Sequence, residues 1–229
     1  MYNLHYELSS SFSNMKNRHL NSILCLTLIM LNLAVGFLTN KALITQEAFY
    51  HSFSNQFEYT QIDEFYSFRQ KSVWIFYILL PFILVFKIFL VSICLQTSLI
   101  LNDFKLKFTS TFKIAITAEF VFLLPQLIKL AWFLLVKTEY TLTDVQHFYP
   151  LSALNLFKIE NLSALLIYPF QTFNVFEVLY WIILAGGIKQ ALDTDINHGI
   201  RVVFSGYIPA LVLWVICVMF ITVSLSPAT

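Results

Sequence analysis

The sequence predicts an all-α fold, a polytopic membrane helix bundle with five transmembrane helices. Hydrophobic residues fill 58% of the 229 positions and charged residues only 12%, about half the charge of a water-soluble domain. The mean hydropathy is +0.72. Five separate apolar runs reach the roughly 20 residues a helix needs to cross a ~30 Å hydrocarbon core, where no water satisfies the backbone.

The elements follow in chain order. Residues 1–19 form an expected cytoplasmic tail carrying Lys16 and Arg18, and the domain of spans covers 20–225. The first span, Leu20 to Thr39, has no charge. It is longer than the 7 to 15 residues of a signal-peptide core, and no small-x-small triplet follows it, so it is expected to remain as a helix. The second span, Val73 to Leu101, contains only Lys87. The third, Ile114 to Val136, contains Glu119 and Lys129; the fourth, Leu162 to Ile188, contains Glu177; the fifth, Val202 to Leu225, is uncharged. Residues 226–229 close the chain as a short tail.

Orientation follows from Lys and Arg, which are retained on the cytoplasmic side. With the amino terminus inside, the inner segments hold Lys16, Arg18, Lys105, Lys107, Lys113, Lys189 and Arg201, against Lys41, Arg69, Lys71, Lys137 and Lys158 outside. The cluster in the turn after the second span is the strongest signal, because short connections obey the rule best. Five spans then place the two termini on opposite sides.

The outer loop, 40–72, is the longest connection. Its Phe49, Phe53 and Phe57 recur every four residues, the spacing of one helix face. Two readings stand: a helix lying among lipid headgroups or docking on a partner, or a cap packed over the bundle. The second outer connection, Thr138 to Asn161, gathers Tyr140, His147, Phe148 and Tyr149 as interfacial anchors. Asn161-Leu162-Ser163 has the form of a glycosylation sequon but abuts a span, and is expected to be unused.

From Thr111 the chain reads TFKIAITAEFVFLLPQLIKLAWFLL, and later IYPFQTFNVFEVLYWIILAGGIKQALDTDINHGIRVVFSGYIPALVLWV. The order of Leu124-Pro125, Phe176, Trp181, Gly186-Gly187 and a terminal polar hairpin resembles the bacterial branch of the Yip-domain family, the Ypt-interacting proteins. The resemblance implies an integral membrane protein of five spans in the bacterial cytoplasmic (inner) membrane. The long cytoplasmic amino-terminal region and the Asp-Leu-Tyr-Gly-Pro stretch of the eukaryotic members are missing from this sequence, so it does not imply a GTPase partner.

Charges within spans carry the chemistry, because each costs about 2.5–3.5 kcal/mol on insertion scales. At 1.5 Å per residue, Lys87 lies roughly 21 Å from the inner end of its span, Glu177 roughly 16 Å and Glu119 about 8 Å. Lys87 is therefore expected to meet Glu177, or failing that Glu119. The cluster Lys87, Glu119 and Glu177 is either a bridge that selects helix neighbours or a polar path for ions. Lys129, near an outer end, is expected to snorkel to the interface. Pro81, Pro125, Pro169 and Pro209 are expected to bend their helices.

The remaining motifs exclude several classes. A formal net charge of +1 gives no field for nucleic acid. The stretch Asp193 to Gly199 opens like a calcium loop, but His198 stands where the glycine belongs and Phe204 where the glutamate belongs, so it reads as a turn. The five His are dispersed, and Cys25, Cys94 and Cys217 sit in apolar runs as packing residues. No catalytic site, cofactor or metal is expected. The expected partners are the lipid bilayer and other membrane proteins, with any small-molecule substrate left open, and the expected role is a non-catalytic scaffold or accessory subunit, or alternatively a small transporter or channel component.

Overall fold

The computed structural model describes the backbone of residues 2–157 and 162–225, and the side chains of 19–157 and 162–224. Lys16, Arg18, Lys158, Glu160 and the sequon at Asn161 lie outside the described side chains. Among the described residues the fold is all-α; the only strand-like feature is an isolated antiparallel bridge between Ser152 and Asn174. Five helical segments are long and apolar enough to cross a membrane: His19–Leu43, Tyr59–Leu101, Phe108–Leu135, Val175–Leu192 and Ile196–Ser224. The chain is built as a membrane protein.

Two helices run well past their apolar stretches. Helix α1 (Tyr2–Leu43) and α3 (Tyr59–Leu101) have 42 and 43 residues, each roughly 63 Å at 1.5 Å per residue, about twice the hydrocarbon thickness. Their polar ends extend the helices at no cost outside the core. The connection expected at 40–72 therefore shortens to 44–58 and contains α2 (Gln46–Phe53).

Helix α2 begins where the Thr45 hydroxyl accepts from the Ala48 amide, and ends at the Ser54-Asn55-Gln56 turn. It holds Phe49 and Phe53 but not Phe57, which follows it in the turn with its amide bonded to the Phe53 carbonyl. The expected single helical stripe is thus corrected to a helix plus a turn. The rings still form a chain: Phe49 to Phe53 at 6.0 Å, Phe53 to Phe57 at 6.2 Å and Phe57 to Phe65 at 5.5 Å. Phe49, 6% exposed, meets Tyr66 of α3 edge-on at 5.4 Å. These rings cap α3.

The third span consists of α4 (Phe108–Glu119), a 3-10 turn over Phe120–Phe122, and α5 (Leu123–Leu135). Pro125 explains the tightened turn, because its ring nitrogen cannot bond back to the Val121 carbonyl. The expected uninterrupted fourth span, Leu162 to Ile188, is also corrected. It divides into α7 (Ala164–Thr172) and α8 (Val175–Leu192). Asn174 makes the break, its amide donating to the Gln171 and Thr172 carbonyls and its carbonyl oxygen accepting from the Glu177 amide at 2.8 Å. The loop before α7 fills the gap, with Ala153 N–H bonded to the Phe173 carbonyl and Val175 N–H to the Leu151 carbonyl.

The fifth span joins α9 (Ile196–Val202) to α10 (Ile208–Leu225) through a π-helical turn, Val203–Tyr207, in which the Ile208 amide reaches the Val203 carbonyl. Between α8 and α9, Asp193 has a left-handed φ of 51° and the Thr194 amide returns to the Lys189 carbonyl. Asp195 then caps α9 through the Ile196 amide at 2.8 Å. These bonds make Asp193 and Asp195 the end and start of two helices.

The chain divides into two units. The first comprises Met1–Met30, Leu84–Phe120 and Tyr180–Ala210; the second comprises Leu31–Ile83, Val121–Leu179 and Leu211–Thr229. In the first unit Ile88, Leu95, Leu99, Ala115, Leu184 and Ile188 are buried together with polar Ser92, Ser98 and Thr111. In the second, Leu43, Phe133 and Val145 form a core flanked by Leu130, Tyr140 and Phe148. Large apolar side chains such as Phe82 (69% exposed) and Phe220 point outward. Apolar outside with polar groups bonded inside is the arrangement a lipid solvent favours.

Candidate functional site

In the first unit, α3 and α4 bring two charges together. Lys87 Nζ lies 2.6 Å from Glu119 Oε1, with the Glu119 side chain 4% exposed and the Lys87 side chain 42% exposed. The ammonium also stands 5.7 Å from the centroid of the Tyr180 ring on α8, within the range of cation–π attraction. Tyr180 packs on Tyr207 at 5.3 Å. The second carboxylate oxygen, Glu119 Oε2, is buried without a hydrogen-bond partner among the described residues.

Glu119, expected as the second choice, is thus an acid in contact with the Lys87 ammonium. The depth count changes because α4 begins at Phe108 rather than Ile114. Eleven residues separate Phe108 from Glu119, roughly 17 Å of rise, close to the roughly 21 Å counted for Lys87 over its own helix. Glu177 belongs to the second unit, where it is buried in the first turn of α8. A carboxylate there is favoured by the helix dipole.

Polar groups bind helices to one another throughout. In the first unit Asn21 donates to the Thr109 carbonyl at 3.0 Å, and Ser98 donates to the Val202 carbonyl at 2.8 Å beside the Ser205 hydroxyl. The π-turn widens the backbone after Val202, where its carbonyl takes the Ser98 hydroxyl. Gly206 makes this approach possible, since a Cβ there would sit 2.6 Å from the Cys94 carbonyl oxygen. In the second unit Gln126 donates to Asn32 at 3.0 Å and Trp214 to the Tyr168 hydroxyl at 2.8 Å. Short polar residues did carry this signal in the sequence, but an isolated Asn or Ser in a span does not reveal which helix it meets.

Around α6 (Leu142–His147) the second unit has a polar rim. Thr141 and Asp144 form a capping box, and Lys137 Nζ lies 2.8 Å from Asp144 Oδ1. Burial alone raises the Asp144 carboxyl, but hydrogen bonds from Lys137 and from the Thr141 amide and hydroxyl outweigh it and hold the group below the ordinary aspartate value. Lys129 lies 5.6 Å from the Tyr149 ring centroid, and burial pushes the Tyr149 hydroxyl up. No family model, curated protein or solved structure matches the chain.

Among the described residues no group of three or more His, Cys, Asp or Glu is placed to hold a metal ion. The arrangement pairs charges and hydrogen-bonds helices, and leaves the buried Glu119 Oε2 without a hydrogen-bond partner among the described residues.

Proposed function

We propose that the chain is a non-catalytic integral membrane protein, a scaffold or accessory subunit of a membrane assembly in a bacterial inner membrane. The observation that supports this reading best is the use made of the intramembrane polar groups. Lys87 with Glu119, Asn21 with Thr109, Ser98 with Val202 and Gln126 with Asn32 each join separate helices. Such bonds fix helix neighbours. The order of Leu124-Pro125, Gly186-Gly187 and the final hairpin supports a Yip-like assignment.

A small transporter or channel component is the second reading, and one observation favours it. Glu119 Oε2 is buried and without a hydrogen-bond donor among the described residues, beside a lysine that is half exposed. Ionisable residues within spans commonly mark ion pathways and proton relays.

Reconstitution separates the two. Proteoliposomes containing the purified chain, with an imposed pH gradient and a trapped pH dye, are expected to leak no faster than empty vesicles. Native electrophoresis of mildly solubilised membranes is expected to place the chain in an assembly larger than its own micelle. A proton flux that Glu119→Gln abolishes while thermal stability is unchanged would overturn the scaffold in favour of the transporter.

A further inference from the structure

The second unit holds an open cavity of 640 Å³ among α1, α3, α5 and α6, within the range of small-molecule sites. Two cations, Arg69 and Lys129, line it, and no Asp or Glu is among its described lining residues. Arg69 Nη1 donates at 2.8 Å to the neutral Asn40 Oδ1, which orients the guanidinium. Lys129 has the Tyr149 ring at 5.6 Å. Neither forms an ion pair among the described residues. Apolar Val73, Phe76 and Val145 and the amide groups of Gln126 and Gln146 are among the other lining residues.

Two half-buried cations bordering one cavity repel each other and are costly in a low-dielectric surrounding, and an anion between them removes both costs. A phosphomonoester carries about −1.5 to −2 near neutral pH and offers three acceptor oxygens. That charge matches two cations, and a guanidinium fork fits two of those oxygens at once. The apolar wall favours a ligand whose phosphate is attached to a hydrocarbon part.

We propose that this cavity binds the phosphomonoester head of an amphiphile, with Arg69 and Lys129 neutralising the phosphate and Val73, Phe76 and Val145 contacting its apolar part. The net charge of +1 for the whole chain conceals this local pair. The proposal is independent of the choice between scaffold and transporter.

The test uses the full chain in a neutral maltoside micelle, titrated with dioctanoyl phosphatidic acid, dioctanoyl phosphatidylcholine and inorganic phosphate while thermal unfolding is followed. Phosphatidic acid is expected to stabilise saturably and phosphatidylcholine not to. Arg69→Gln and Lys129→Gln are each expected to weaken binding at least tenfold, whereas Lys71→Gln, an exposed cation of α3 outside the cavity, is expected to leave it unchanged. Ser72→Phe narrows the cavity without altering charge, is expected to weaken binding too, and keeps the test readable if an arginine variant misfolds. Stabilisation by phosphatidic acid alone identifies a lipid head, and stabilisation by inorganic phosphate as well identifies a soluble phosphorylated compound; both support phosphate recognition. Equal binding of phosphatidylcholine, no response to any phosphate probe, or full affinity in the Lys129→Gln and Ser72→Phe variants would overturn it.

Discussion

Lys87 and Glu119 meet at 2.6 Å with unequal burial, the carboxylate side chain almost wholly enclosed and the lysine side chain 42% exposed. The two ends of the pair therefore differ in what happens when the other is removed. A stranded lysine can carry its ammonium along its flexible stem toward a more polar region, while a stranded Glu119 has no such route.

Lys87→Met is accordingly expected to destabilise the protein more than Glu119→Gln, by about 3 kcal/mol. The double variant is expected to lose less than the sum of the two. Thermal unfolding of all four proteins in one detergent checks this. Strictly additive losses would show that the contact contributes no coupling.

Four glycines of the first unit make a second expectation. At Gly199 a Cβ would stand 2.1 Å from the Ala185 carbonyl oxygen and at Gly206 2.6 Å from that of Cys94, so an added methyl forces backbone apart. Gly199→Ala and Gly206→Ala are expected to cost about 1–3 kcal/mol as overpacking. Gly186 has nothing within 4 Å, so Gly186→Ala is expected to be neutral or to gain up to about 1 kcal/mol of helix propensity. Gly187→Ala meets the Ile114 side chain at 2.7 Å and is expected to fall between them. Ranked detergent melting temperatures that place Gly186→Ala lowest would contradict this packing.

The glycine pair also shows where sequence reading stops. Gly186-Gly187 was visible as a motif, yet the crowded contacts with backbone lie at Gly199, which the sequence suggested only as the end of a turn, and at Gly206. The five spans were legible because apolar length is dictated by the bilayer itself. Depth within a span was less so. The apolar run after Lys113 suggested a start at Ile114, whereas Phe108 to Lys113 is helical too, and that shift brings Glu119 close to the depth counted for Lys87. The break at Asn174 was hidden for a related reason: hydropathy records side-chain polarity and not whether an Asn bonds to its own backbone. The cavity was not foreseen, because Arg69 and Lys129 lie 60 positions apart and converge only through tertiary packing.

The Asp144 carboxyl gives a pH prediction. Its folded value lies below the ordinary one, about 3.9, so its contribution to stability is complete above that ordinary value and is lost as pH falls through the folded value. Hydrogen exchange at the α6 amides is expected to quicken as pH drops below about 4 beyond the intrinsic trend, and Asp144→Asn is expected to remove that extra dependence. An unchanged profile in Asp144→Asn would assign the acid response to another group. The group is partly exposed, so the effect is small and read best locally.

Orientation can be tested at the connection 102–107, which joins α3 to α4. Only six residues separate these helices, so both lysines in the turn, Lys105 and Lys107, are bound to the side on which the turn lies, and Lys113 follows one turn into α4. Retention of basic residues in short connections on the cytoplasmic side leads us to expect this turn inside. Since successive spans alternate in direction, the α5–α6 connection containing Glu139 is then expected outside. In a background with Cys25, Cys94 and Cys217 replaced by Ser, a membrane-impermeant maleimide is expected to label Glu139→Cys in intact cells and Leu106→Cys only after permeabilisation. The reverse pattern would invert every span. Labelling of both positions in intact cells would instead break the alternation and sink the assignment of α4 and α5 as one crossing. Replacing Lys105, Lys107 and Lys113 together with Gln is expected to produce a mixed labelling pattern at Leu106→Cys, because the remaining inner and outer basic residues differ too little to hold one orientation.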